Sequence, residues 1–395
     1  MFAWPDDADE DRRVLDWLGS GIVPLTGSPN ESPRIPPGNA ATLARHLGEF
    51  INGDEDGARY LSERAAFTGF SRSGSISLGG SCRLLPTRDG WAAVSCARPD
   101  DPMLLGALIS TEIDEDPWPA VSAWLAAHPG SELAERAALL GLAAAPVACT
   151  TASVPAPTTR RSVKDLLVLD FSALWAGPLC SHLLGAAGAR VVKVETPTRP
   201  DGARRGNSEF YELLHAGHES VVLDPSTSPG RSALAQLVER ADIVIEASRP
   251  RALAGFGLDA EAAAASGTTW ISITAAGRNS DRIGFGDDIA ASSGLVAHNN
   301  SGEPVFVGDA IADPLSGLMA AALAMSETPT GAGYLWDLSM ADLVASTLTQ
   351  GTDAPLPHSC ASAVAVPEKR QHVGTAPKSG FDTHTVLRSL GIVTP

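Results

Sequence analysis

Cations are scarce in this chain. Its 395 residues carry 29 Lys and Arg against 46 Asp and Glu, a formal net charge of −17. That balance argues against nucleic acid as a partner, because phosphate-backbone binding draws its affinity from Lys and Arg. A phosphorylated small molecule stays open, since a local cation or a few backbone N–H groups can hold it. The five cysteines, Cys82, Cys96, Cys149, Cys180 and Cys360, are odd in number and contain no C-x-x-C pair, so neither a disulfide framework nor a zinc site is signalled. The nine histidines show no H-E-x-x-H, and His215 and His218 read as structural. No metal is expected. No apolar run is long enough to span a bilayer, so no membrane partner is expected. The opening "MFAWPDDADEDRR" is acidic where a signal peptide is basic and then apolar, which makes a cytoplasmic location the expectation.

The common nucleotide and hydrolase motifs are missing too. The turn "DFSALWAGPLC" has no G-x-G-x-x-G, no G-x-x-x-x-G-K-[ST] occurs, and no G-x-S-x-G supplies a nucleophile elbow. Aromatics make up only 5%, while Ala and Gly are plentiful, so helices are expected to pack closely on small side chains.

What is present has the makings of a globular chain with two domains. The stretch "TTASVPAPTTRRS", Thr150 to Ser162, lacks helical or strand periodicity and reads as a linker. It divides residues 1–149, a small α+β unit, from residues 163–395, a large one. In the large unit "DLLVLDF", "RVVKVE", "SVVLD", "DIVIEA" and "TWISITA" read as buried strands alternating with helices. This is the signature of an α/β, Rossmann-like, mostly parallel sheet. Ligands bind such sheets beyond the carboxyl ends of the strands, which selects the loops starting at Ser172, Thr196, Ala247 and Ala275. In the small unit "ERAAFTGF" and "SELAERAALLGLAA" read as helices, and "SCRLLPTRDGWAAVSCA" as two strands around a turn at Arg88–Gly90.

A faint internal repeat links Gly19–Phe50 to Ser292–Ala321. Both run Ser-Gly-aliphatic-Val, a polar turn, a glycine and an Ala/Leu helix. The first copy has no carboxylate between Gly38 and Gly48, whereas the second, "GDAIADPLSGLMAAALAM", carries Asp309 and Asp313. Asp313 before Pro314 reads as a helix N-cap, stabilised by N–H groups and the helix dipole.

The run "VLDFSALWAGPLCSHLLGAAGARVVKVE", followed in order by "DGARRG", "LLHAGHESVVLD", "ADIVIEASRPRAL", "SGLVAHN", "VGDAIADPLSGLMAAALA" and "APKSGFDTHTVLRSLGI", resembles the class III CoA-transferases, the CaiB–BaiF family. "SRSGSISLGGSCRLLPTRDGWAAVSCARPDD" is similar to that family's smaller domain, which normally follows the aspartate helix and here comes first. The resemblance implies an enzyme that moves CoA from an acyl-CoA donor to a carboxylic acid acceptor, with CoA as substrate and a homodimeric assembly. It implies Asp313 as nucleophile through "DPLSG", with Asp309 as second choice. It implies a nucleotide site at Leu174 and Trp175, with Thr196, Arg199, Arg204, Ala247, Ser248, Arg249 and Arg282 around the CoA, and a covering loop at Gly79 and Gly80. Asp287 and Asp288 stand where the related racemases carry a His-Asp pair. Inverting a stereocentre needs an acid and a base on opposite faces, so their replacement of the histidine favours transferase over racemase. Acyl-CoA epimerisation and non-catalytic CoA binding stand as the alternatives.

Overall fold

Runs of β-branched and aliphatic residues build a single six-stranded, all-parallel sheet in the computed structural model, which describes residues 2, 4, 5, 9–113, 116–149, 152, 154–248, 250–348, 352–372 and 374–395. Its strands are β1 (Leu167–Asp170), β2 (Arg190–Glu195), β3 (Glu219–Val222), β4 (Ile243–Glu246), β5 (Thr269–Thr274) and β6 (Tyr334–Ser339). They lie in the order β6-β5-β4-β1-β2-β3. This is the doubly wound order, with the chain reversing its direction of travel between β1 and β4. The central strands β1, β4 and β5 are buried at every position, as a sheet covered on both faces requires. The sixth strand is absent from the sequence reading. Asp337 is exposed in its middle, and an edge strand with a charge does not look like the apolar runs of the centre.

Five helices shape the site: α1 (Ala40–Asn52), α2 (Glu63–Thr68), α3 (Ala176–Ala186), α4 (Gly286–Ser292) and α5 (Ala312–Ala324). One face of the sheet carries α3 and α5, whose Leu179, Leu183, Leu315 and Leu318 share a core with Val168, Ile243 and Ile271. The other face buries Leu169, Val192 and Val244 against Leu234, Leu237, Val386 and Leu387. The α3–α5 approach is close because of a glycine: a Cβ on Gly317 would stand 2.7 Å from the Ala176 carbonyl oxygen and 3.0 Å from Leu179 Cβ. This is the physical reason for the glycine in "DPLSG".

The packing does not follow the linker. Trp17, Leu43, Leu47 and Leu61, grouped by sequence with the small unit, are buried in the same core as α3 and α5. Residues 82–146 have a core of their own: Val94, Leu105, Leu108, Val121, Leu125 and Leu133 beneath a sheet of Cys82–Thr87, Gly90–Ser95 and Ala144–Pro146. The described part of the linker is fastened rather than free. Arg161 N–H donates to the Met325 carbonyl at 2.7 Å, and Arg160 Nη2 to the Ile51 carbonyl at 2.8 Å. No helix among the described residues is long and apolar enough to cross a membrane.

Candidate active site

A cleft of ≈ 590 Å³ opens beyond the carboxyl ends of β1, β2, β4 and β5, and all four loops selected from the strand pattern line it. It brings together Leu174, Thr196, Arg199, Ala247, Ser248, Arg282 and Asp313. Leu174 has a left-handed backbone, φ +70°, and its side chain is 45% exposed at the cleft. A leucine holds that conformation only when its surroundings impose it. Here Asp201 Oδ1 accepts the Leu174 N–H at 3.0 Å, and Asp201 is itself held by the buried Lys193 Nζ at 2.9 Å. Desolvation works against the Lys193 charge, but Asp170 and Asp201 outweigh it and keep the ammonium above its ordinary value.

Other expected site residues lie elsewhere. Trp175 is buried beneath the Arg64 guanidinium, 4.8 Å from its ring centroid, and packs edge-on to Phe210, so it supports the cleft from behind. Arg204 is paired with Glu195 at 2.6 Å and lies over Tyr211, which removes it from the lining. Gly79 and Gly80 form an exposed turn at the start of the small sheet, closed by the Gly80 N–H to the Ser77 carbonyl at 2.8 Å, and are not among the lining residues. Arg249 lies outside the described residues. Asp287 and Asp288 are buried beneath the lining: Asp287 Oδ1 accepts the Ala310 N–H at 2.8 Å, and Asp288 Oδ1 accepts the Phe285 N–H at 2.8 Å and the Ser95 hydroxyl at 2.9 Å.

Asp313 itself departs from the sequence reading in one respect. The N-cap of α5 is Ile311, Asp313 is the second residue of the helix, and no side-chain cap bond is made. The carboxylate is therefore not spent on capping. It sits in the first helical turn, where the dipole favours an anion, and reaches the cleft. Before it, Gly308 (φ +64°) and Ala310 (φ +46°) turn the chain sharply, and the Ala310 carbonyl accepts the Asp313 N–H at 2.9 Å. Gly286 closes the other side. A Cβ there would stand 2.3 Å from the Ala310 oxygen and 2.6 Å from Asp313 Oδ2, so only glycine fits.

Burial pushes the Asp313 carboxyl up to about 7, with Asp288 and Asp309 pushing the same way and Arg64 and the Gly286 N–H pulling it down. Burial likewise raises Asp287 to about 7 and Asp288 to about 6. Asp309 is fully buried and held by Arg64 of α2 through two bonds, at 2.8 and 2.5 Å. A carboxylate locked in a bidentate guanidinium pair is a poor nucleophile, so Asp309 serves the electrostatics and Asp313 faces the cleft. Among the described residues no group of three or more His, Cys, Asp or Glu is placed to hold a metal ion.

The sequence reading did not single out Arg64, Arg98, Phe285 or Gly286. Arg64 and Arg98 reach the site from the N-terminal half, and no local pattern marks such a long-range meeting. The glycine in "GFGDD" was the one available signal.

The model of CoA-transferase family III matches residues 163–394. A succinyl-CoA–D-citramalate CoA-transferase of Chloroflexus aurantiacus is 31% identical over 175 residues, covering 41% of this chain and 44% of that protein. A succinate–glutarate CoA-transferase of Agrobacterium fabrum is 27% identical over 216 residues, covering 49% and 54%. A solved CAIB/BAIF family protein from Brucella suis aligns with a TM-score of 0.42 at 28% identity, over 47% of this chain and 55% of that one. The chain spans about half the length of the relatives it matches.

Proposed function

The chain belongs to CoA-transferase family III, and from that premise we propose that it moves CoA from an acyl-CoA donor to a carboxylic acid acceptor, with Asp313 as the nucleophile. One observation carries the reading. An uncapped, partly exposed carboxylate at a helix start lines a cleft formed by the ends of four parallel strands.

In this reading an Asp313 oxygen attacks the thioester carbonyl. The C–S bond breaks, CoA leaves as thiolate, and a mixed anhydride remains on the enzyme. The thiolate then attacks the aspartyl carbonyl, releasing the donor acid as carboxylate and leaving an aspartyl-CoA thioester. An acceptor carboxylate attacks that thioester to form a second anhydride, and the thiolate returns to the acceptor's acyl carbon, restoring Asp313. Each step exchanges comparably activated acyl groups. The nucleophile must be an anion in a site that limits water, and the two demands conflict. Burial holds the proton to about 7 while Arg64 and the Gly286 N–H favour the anion, so a substantial share of Asp313 is ionised at neutral pH. Leu174, Ala247 and Phe256 offer the nucleotide apolar walls, and exposed Arg199 offers the phosphates a cation at the rim. The same reading includes a homodimer, which sedimentation velocity checks, and a cytoplasmic location, which cell fractionation checks.

The test is intact-protein mass spectrometry after brief exposure to a panel of acyl-CoA thioesters. The expected result is a mass gain of acyl or CoA that hydroxylamine removes and Asp313→Ala abolishes. Bound CoA with no adduct from any thioester would overturn the covalent route.

A further inference from the structure

Three cationic side chains line the cleft among the described residues: Arg98, Arg199 and Arg282. They are not equivalent. Arg98 is already satisfied, with Nε and Nη2 on Asp101 Oδ1 at 2.8 and 2.6 Å and Nη2 on the Gly141 carbonyl at 2.8 Å. Arg199 is exposed at the rim beyond β2, where a highly charged group can keep much of its hydration. Arg282 is half-buried, and among the described residues no carboxylate stands within ion-pair distance of it. Among the described residues its one side-chain bond runs from Nη2 to the Ser292 hydroxyl at 2.5 Å, which fixes the guanidinium against α4.

We infer that Arg282 recognises the distal carboxylate of a dicarboxylic substrate whose other carboxyl group is exchanged at Asp313. The inference rests on the acyl-transfer reading and deepens it. A guanidinium in a partly desolvated wall with no anionic partner is costly unless a ligand supplies the charge. Burial indeed pulls its pKa below the ordinary value, with only Asp288 opposing from longer range. Chain geometry sets the reach. Gly286, whose N–H bonds the Asp313 carboxylate, is four residues beyond Arg282, a span of at most roughly 14 Å fully extended. A guanidinium side chain and a short diacid together can bridge it. The residues between them, Ile283, Gly284 and Phe285, form the intervening wall of the same cleft.

The charge balance favours a carboxylate over a phosphate at this place. Asp287, Asp288 and Asp309 are buried close to Asp313. A phosphate monoester would add nearly two negative charges to that cluster, whereas a carboxylate adds one, which a single planar guanidinium neutralises through paired bonds.

The experiment compares succinyl-CoA with butyryl-CoA, two four-carbon thioesters differing at the distal end. Two ratios are read for each protein: the rate of hydroxylamine-sensitive labelling by mass spectrometry, and the dissociation constant by calorimetry. Wild type is expected to favour succinyl-CoA at least about tenfold in both. Arg282→Gln is expected to bring both ratios to about one, and Arg282→Lys, which keeps the charge without the fork, to an intermediate value. A wild-type ratio near one, or a ratio that survives Arg282→Gln, overturns the inference. So does an Arg282→Gln loss that is equal for both thioesters and for free CoA, which would make Arg282 a phosphate ligand. If no thioester labels the wild type while the calorimetric preference exists and needs Arg282, the transferase reading fails and the diacid site stands.

Discussion

The segments Gly19–Phe50 and Ser292–Ala321, faintly alike in sequence, place left-handed glycines at matching positions. Each begins with a glycine in the left-handed region, Gly21 at φ +74° and Gly294 at φ +97°. Each enters its helix through another, Gly38 at +72° and Gly308 at +64°. The two helices, α1 and α5, pack into a common core. The residues after the second glycine separate them. One residue on stand Asn39 and Asp309, and five residues on stand Leu43 and Asp313. Leu43 is fully buried and fills the core, while Asp313 faces the cleft. In the first copy the Gly38 carbonyl accepts the Trp17 indole N–H at 2.8 Å, whereas the residue after Gly308 holds Arg64. The turns are not identical, since α1 begins two residues past its glycine and α5 four, after the left-handed Ala310, so Leu43 is a fourth helical residue turned to the core and Asp313 a second helical residue turned to the cleft.

The largest expected effect breaks the second copy alone. Asp313→Asn keeps shape and volume but removes the proposed nucleophile, and labelling by any acyl-CoA should fall by at least about a thousandfold, read by mass spectrometry. Gly286→Ala comes next. Its Cβ must displace the Asp313 carboxylate, and a shift of that kind costs roughly a hundredfold in labelling rate, measured under single-turnover conditions. Leu43→Ala sharpens the contrast from the other side. It should lower stability by about 2–5 kcal/mol in urea unfolding, while Asp313 in the folded fraction still labels.

The smallest effect is in pH. Asp313, Asp287 and Asp288 have carboxyls raised to about 7, 7 and 6 from an ordinary value of 3.8. The folded state therefore holds more protons than the unfolded chain between about pH 4 and 7, and their contribution to stability is lost as pH rises through that window. Labelling should run the opposite way, rising with the Asp313 anion up to about pH 7. Asp287→Asn should flatten the stability curve, as thermal melts from pH 4 to 8 would check.

The parts of this molecule visible in sequence are those fixed by neighbours along the chain. Strands β1 to β5 announce themselves by short runs rich in Val, Ile and Leu, and their ends locate the cleft. The motif "DPLSG" pointed to Asp313, and the structure has that residue lining the cleft. Its helix position was not legible, because an Asp-Pro pair suits the N-cap and the first turn alike, and the tight Gly308–Ala310 turn shifted the boundary. Trp175 and Arg204 were misplaced because their partners, Phe210 for one and Glu195 and Tyr211 for the other, draw them away from the cleft. The Arg64–Asp309 pair joins residues 245 apart, and no local period carries such information.

The core that unites Trp17, Leu43 and Leu61 with α5 and Leu343 has a consequence for synthesis. These early residues share that core with partners nearly 300 positions later, so it is not complete until those have been made. Arg34 is held the same way, in its pair with Asp353 at 2.6 Å and in the strand contact of Arg34–Ile35 with Ala354–Pro355. At ribosomal speeds of roughly 5–20 residues per second, the wait is roughly 15–60 s. During that interval the nascent chain displays one half of an unfinished interface, an apolar surface open to association with other chains.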